Sequence, residues 1–175
     1  MKKELRPYTN TKESGISWIG KIPLDWEIQP GLAVFREKKV KNTGLIEDTV
    51  LSLSYGNVII KPKDKLHGLV PESFEGYQLV DPGDIIIRGT DLQNDKTSLR
   101  VGLARNRGII TSAYMNLFVQ DDVLPEYIYR LLHAYDTMKI FYGLGSGLRQ
   151  NLDFGDMKRL PIVLPKYDTQ IDIVR

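Results

Sequence analysis

Three residues that can read a base edge, Arg149, Gln150 and Asn151, stand in a row behind the glycine-rich stretch Gly143-Leu144-Gly145-Ser146-Gly147-Leu148. Arginine offers a donor fork to guanine, and asparagine or glutamine offers the donor–acceptor pair that fits adenine. Ser146 adds a hydroxyl, and Gly147 and its neighbours let the backbone approach a phosphate and donate its N–H groups. The residues alone support a plainer reading as well, a helix C-terminus followed by an ordinary polar loop. A nucleotide-binding loop is excluded by context, because a phosphate-cradling glycine motif follows a strand and opens a hydrophobic helix, whereas this one follows a helical pattern.

A second polar stretch runs from Arg88 to Arg100 between two apolar segments, and long connections of that kind often carry function. Its candidate contacts are Arg88, Thr90, Gln93, Asn94 and Lys96, while Asp91 and Asp95 read as turn formers because carboxylates repel phosphate. The alternative is a solvated hairpin. Tyr114, behind Thr111-Ser112-Ala113, is either a contact to phosphate or base or a core tyrosine opening a strand. In the basic run Arg36-Glu37-Lys38-Lys39-Val40-Lys41, the cations Lys38, Lys39 and Lys41 suit phosphate positioning rather than base selection. The net charge is only +2, so any attraction for nucleic acid must come from local placement.

Catalytic motifs are scarce. No G-x-x-x-x-G-K-[ST] string occurs, Asp81-Pro82-Gly83-Asp84 reads as a turn and not as a base-methylation tetrapeptide, and Gly145-Ser146-Gly147 lacks the flanks of a nucleophile elbow. The two histidines, His67 and His133, are far apart and have no carboxylate at ligand spacing. The one enzymatic alternative is a metal-dependent nuclease using Asp25, Glu37 and Lys39, since carboxylates and a lysine can hold a metal and activate water. A protein-interaction scaffold is the other alternative.

These residues need a frame, and the 175-residue chain is long enough for one domain with its own core. Its 42% hydrophobic and 26% charged content suits a globular protein, and the absence of cysteine removes disulfides and thiolate metal sites. The polar N-terminus and the lack of a long apolar run lead us to expect a cytoplasmic protein. Seven short β-branched or aromatic segments are read as strands: Val50–Leu53, Val58–Ile60, Tyr77–Val80, Asp84–Ile87, Val101–Ala104, Gly108–Thr111 and Tyr114–Val119. Asp81-Pro82-Gly83-Asp84 predicts a type II turn. Before them, residues 9–26 read as an irregular arm pinned by Trp18 and Trp26, and Leu32–Phe35 as a short helix.

Pro125 opens a helix with Ile128, Leu131, Leu132, Tyr135 and Met138 at helical spacing, which Gly143 is expected to end. A helical turn at Asp153–Lys158, an apolar strand at Leu160–Leu164 and a last helix carrying Ile171 and Val174 complete the pattern. The fold class is therefore α+β: a β-rich globular domain, a curled sheet or partial barrel with a few helices, leading into a C-terminal helix cut short.

The order of the landmarks resembles a known family. Ser14-Gly15-Ile16-Ser17-Trp18-Ile19-Gly20-Lys21-Ile22-Pro23-Leu24-Asp25-Trp26-Glu27 is followed by Val80-Asp81-Pro82-Gly83-Asp84-Ile85-Ile86. Then come Thr111-Ser112-Ala113-Tyr114, the Gly143–Asn151 loop and Leu160-Pro161-Ile162-Val163-Leu164-Pro165. Together they resemble the target-recognition domain of the specificity subunit of type I restriction–modification enzymes. The likeness departs at Thr169, where the family usually has glutamate before Gln170, and in carrying one recognition domain where two are usual.

The resemblance implies a non-catalytic reader of one half of a bipartite duplex DNA target. Its implied partners are modification (methyltransferase) subunits, a restriction subunit reached through them, and a second recognition domain in cis or in a dimer. S-adenosylmethionine, ATP and Mg²⁺ would belong to those partners, with no cofactor here. It divides the chain into a recognition domain at 1–165, with an N-terminal arm at about 1–25, and the start of a spacer and dimerisation helix at 166–175.

Overall fold

The computed structural model describes residues 8–66, 71–145 and 150–175. In chain order the strands and helices are β1 (Thr11–Glu13), β2 (Lys21–Pro23), β3 (Glu27–Pro30), α1 (Gly31–Val34), β4 (Phe35–Glu37), β5 (Leu51–Ser54), β6 (Asn57–Ile60), β7 (Gln78–Val80), β8 (Ile85–Ile87), β9 (Val101–Leu103), β10 (Gly108–Ile110), β11 (Met115–Val119), α2 (Pro125–Thr137), α3 (Phe154–Met157), β12 (Pro161–Leu164) and α4 (Tyr167–Val174). This is the mixed, β-rich architecture that the sequence implies. All seven strands read from the middle of the chain form, and among the described residues they do not close into a barrel.

The centre is a four-stranded antiparallel sheet in the order β4-β11-β8-β9, with Leu117 opposite both Glu37 and Ile85. Two-stranded ladders β7–β10, β5–β6, β3–β12 and β1–β2 surround it. Alternation along a strand sends neighbouring side chains to opposite faces, and in β8 both faces are covered. Ile85 and Ile87 join the main core with Ile128 and Leu132 of α2, whereas Ile86 packs with Leu51, Val80 and Ile110. That is why β8 reads as an unbroken Ile-Ile-Ile instead of an alternating strand.

The turn before β8 has Gly83 at φ +96, as a type II turn requires at its third residue, and Asp84 N–H donates to Asp81 O at 3.1 Å. α2 is fastened to β12 by two buried tyrosines: the Tyr127 hydroxyl donates to Val163 O and the Tyr135 hydroxyl to Pro161 O, each at 2.8 Å. Burial pushes both phenols up, Tyr135 to about 12. Gln170 in α4 is buried; its Oε1 accepts from Leu124 N–H at 2.9 Å and its Nε2 donates to Pro165 O. It therefore ties the start of α4 to the start of α2.

Two expectations are corrected. Residues 11–23 form the hairpin β1–β2, with Lys12 opposite Ile22, where the sequence reads as an irregular arm. Trp18 does pin it, edge-on to Tyr135 at 6.5 Å between ring centres. Further on, α2 ends at Thr137, well before Gly143. Lys139 takes a left-handed φ of 64, which turns the chain into a 3₁₀ turn at Ile140–Gly143 and delivers Phe141 to the core with no exposure. No helix among the described residues is long and apolar enough to cross a membrane.

Candidate nucleic-acid interface

At one end of the central sheet, β4 and β8 finish and β11 begins. A cleft of about 630 Å³ opens there, lined by Glu37, Lys39 and Lys41, by Gly89 and Thr90 after β8, by Ser112 and Tyr114 before β11, and by Leu152 and Phe154. Of the sequence candidates it brings together Lys39, Lys41, Thr90 and Tyr114. The strand period explains which lysines take part. Phe35, Glu37, Lys39 and Lys41 alternate with Arg36 and Lys38, so the first set follows the core face out to the cleft.

Lys38 points the other way. Its ammonium donates to Asp81 at 2.7 Å and to Asp84 at 2.8 Å, with its side chain only 16% exposed. Burial alone would lower its pKa, but the two carboxylates outweigh it and raise the pKa. Lys38 is thus a structural cation between β4 and the Asp81–Asp84 turn, set apart from the other two lysines. Asp25, the first residue of the nuclease trio, is exposed after β2 and does not line the cleft that holds Glu37 and Lys39.

The two polar loops singled out in the sequence meet at the rim. Leu152 N–H donates to Gly89 O at 2.7 Å, and Asp91 N–H donates to the Asn151 side chain at 2.8 Å. The approach is close enough that a Cβ on residue 89 would fall 2.2 Å from Leu152 O, so only glycine fits there. Gln150 is exposed with a left-handed φ of 49. Ser146, Gly147 and Arg149 lie outside the described residues, as does His67.

Within the 88–100 loop, Thr90, Gln93 and Lys96 are exposed, and Asn94 donates to the Asp91 carboxylate at 2.8 Å. Arg88 is paired with Asp95. The Asp95 carboxyl is held far below the usual range by hydrogen bonds from Ser98, with Thr97 and Arg88 adding to them against the opposing effect of burial. It is a turn former, as the sequence suggested for it.

What organises this loop is a residue that reads in the sequence as one more surface cation. Arg100 has no exposed surface. Its guanidinium donates to Thr90 O at 2.7 Å, Arg88 O at 3.0 Å, Asp95 O at 2.5 Å and Asp91 O at 3.3 Å, and its Nε to the Tyr142 hydroxyl at 3.3 Å. The guanidinium carbon lies 5.5 Å from the centre of the Tyr142 ring. Its backbone N–H donates at 2.6 Å to buried Asp136, whose carboxyl is pushed up by burial against the pull of that hydrogen bond and of nearby cations. An arginine beside an apolar strand gives no sign in sequence that four loop carbonyls will converge on it. Ser112 and Phe154, which line the cleft, were likewise not singled out.

The chemistry of the platform follows from its exposed groups. It presents exposed amide, hydroxyl and ammonium groups on a braced loop pair beside the cleft, residue types suited to contact with a phosphate backbone and base edges. Among the described residues no three His, Cys, Asp or Glu side chains group as metal ligands.

No family model matches the chain, and no curated protein matches it in sequence. Solved structures do match in shape. The HsdS subunit from Thermoanaerobacter tengcongensis aligns over 94% of this chain with a TM-score of 0.56 at 14% identity. A chain from a type I restriction–modification system, described for its complex assembly and conformational transition, aligns over 94% with a TM-score of 0.58 at 12% identity. The S subunit of the type I restriction–modification system from M. genitalium aligns over 85% with a TM-score of 0.54 at 16% identity. This chain spans 38%, 39% and 37% of those chains, respectively. At such identities the likeness is one of fold, and the fold of this chain is that of a stretch of type I restriction–modification specificity subunits.

Proposed function

We propose that this chain is a non-catalytic DNA-recognition module that reads one half of a bipartite duplex target for a type I restriction–modification complex. The observation that carries the reading is the joining of the 88–100 and 150–152 loops into one braced rim, beside a cleft that collects Lys39, Lys41, Thr90 and Tyr114. Lys39 and Lys41 position the backbone of the duplex, and Thr90, Gln93, Asn94, Tyr114, Gln150 and Asn151 face the groove; Ser146, Gly147 and Arg149, outside the described residues, are assigned to DNA contact by residue type alone. Arg88 and Lys96 serve the flanking phosphates. Lys38 has a structural part.

In this reading residues 1–165 form the recognition domain and 166–175 begin the spacer helix that packs against a second recognition domain. Methylation with S-adenosylmethionine and ATP-driven restriction are the work of partner subunits in the cytoplasm. The test is selection from a randomised duplex library with the whole chain, followed by a salt series on the enriched sequence. One enriched motif, with an affinity that falls linearly against log salt, is the expected result. Equal recovery of all sequences refutes sequence reading.

A further inference from the structure

Glu37 is out of place in a surface built for phosphate. Carboxylates elsewhere near the platform are occupied by the chain itself: Asp95 accepts from the Thr97 and Ser98 amides, Asp153 accepts from Asp156 N–H as the cap of α3, and Asp136 accepts from Arg100 N–H. Glu37 has no such work. Its side chain is 20% exposed on the cleft wall, and the one partner it has among the described residues is Lys39, at 3.0 Å. The Gln78 amide group, on the same cleft, donates to the Thr111 and Tyr114 carbonyls.

Building on the DNA-reading function above, we propose that Glu37 is a base-reading element that selects a C·G pair in the major groove of the bound duplex. A carboxylate has only acceptors, so it repels a phosphate and needs a donor. Cytosine presents its N4 amino group and no acceptor beside it on that edge. Adenine places its N6 donor next to the N7 acceptor, which would face the second carboxylate oxygen. The Lys39 ammonium lies 3.0 Å from this carboxylate on a largely exposed side chain, which leaves it within reach of a phosphate.

The test is the same duplex selection run in parallel on the unaltered chain and on Glu37→Ala, with urea unfolding of both to establish that the variant is folded. The unaltered chain is expected to enrich a motif containing an invariant C·G pair. Glu37→Ala is expected to keep the other positions and lose that one. Replacing that cytosine by a base lacking the 4-amino group should weaken binding about 5- to 150-fold for the unaltered chain and leave Glu37→Ala nearly unaffected.

If both proteins enrich the same motif, C·G pair included, Glu37 reads nothing and the proposal falls while DNA reading stands. Loss of an A·T pair instead overturns the cytosine assignment. If the unaltered chain enriches no motif, the DNA-reading function falls and this proposal with it.

Discussion

Replacing Arg100 by methionine tests whether the 88–100 loop is held from within. The side chain has no exposed surface, and methionine fills most of the aliphatic volume without the guanidinium. Three of its hydrogen bonds, to Asp95, Thr90 and Arg88 carbonyls at 2.5, 2.7 and 3.0 Å, are short enough to count fully, and the two at 3.3 Å are marginal. At about 1.5 kcal/mol for each bond to a charged donor, the three amount to roughly 4–5 kcal/mol.

Relief of the buried guanidinium's desolvation reduces that sum. The loss of a cation close to buried Asp136 adds to it, and removing one member of a buried charged cluster typically costs about 3–5 kcal/mol. The expected destabilisation is therefore about 3–5 kcal/mol, out of a total of roughly 5–15 for a domain of this kind. Urea unfolding followed by tryptophan fluorescence measures it, with Trp18 reporting from the α2 core. Hydrogen exchange should accelerate first at amides 88–95. Tyr142→Phe, which removes only the hydroxyl that meets Arg100 and donates to Asp95 O at 3.0 Å, should cost about 1 kcal/mol. If Arg100→Met costs under about 1 kcal/mol and leaves exchange at 88–95 unchanged, the loop is not held by this residue.

Further expectations follow from the same geometry. Gly89→Ala forces a methyl against Leu152 O and should destabilise by about 1–3 kcal/mol, read as a lowered urea midpoint; an unchanged midpoint would mean that the two loops are not in contact. Lys39→Ala and Lys41→Ala should each reduce the salt slope of DNA binding by about 1, whereas Lys38→Ala should leave the slope alone and lower stability, because its charge is taken up by Asp81 and Asp84. Asp81 and Asp95 have carboxyls held below their ordinary value, by Lys38 foremost and by Ser98 foremost, respectively. Their contributions are complete above the unfolded value of about 3.9 and are lost as pH falls through the depressed folded values. Urea midpoints taken from pH 5 downward should therefore fall less steeply for Asp81→Asn and Asp95→Asn than for the unaltered chain.

The strands were legible because β-branched triplets and turn residues mark them locally; β8 and the Gly83 turn are examples. The end of α2 was not, because it depends on Lys139 adopting a left-handed conformation to place Phe141, a tertiary demand that no local propensity of Lys139 announces. The candidate site was legible by residue type and illegible by direction. Lys38, Lys39 and Lys41 are equivalent as letters, and they part company only when β4 fixes which side of the strand each occupies.

The same alternation argues that, under the proposed function, such a surface can change its target without losing its fold. Most of what braces the platform points inward or is backbone: Arg100 to its carbonyls, Leu152 to Gly89, Lys38 to the β8 turn, with the exposed Asn151 side chain as the exception. Among the side chains that reach the cleft and its rim, Glu37 and Lys39 are paired with each other, and Thr90 and Gln150 carry no side-chain bond to the scaffold among the described residues. Substitutions at those positions alter what is presented to a groove at little cost to stability, where exposed changes usually stay within about 0.5 kcal/mol. A double substitution at Glu37 and Gln150 should accordingly leave the urea midpoint unchanged while altering the selected duplex. A large loss of stability from that pair would show that recognition and scaffold are not separable in this fold.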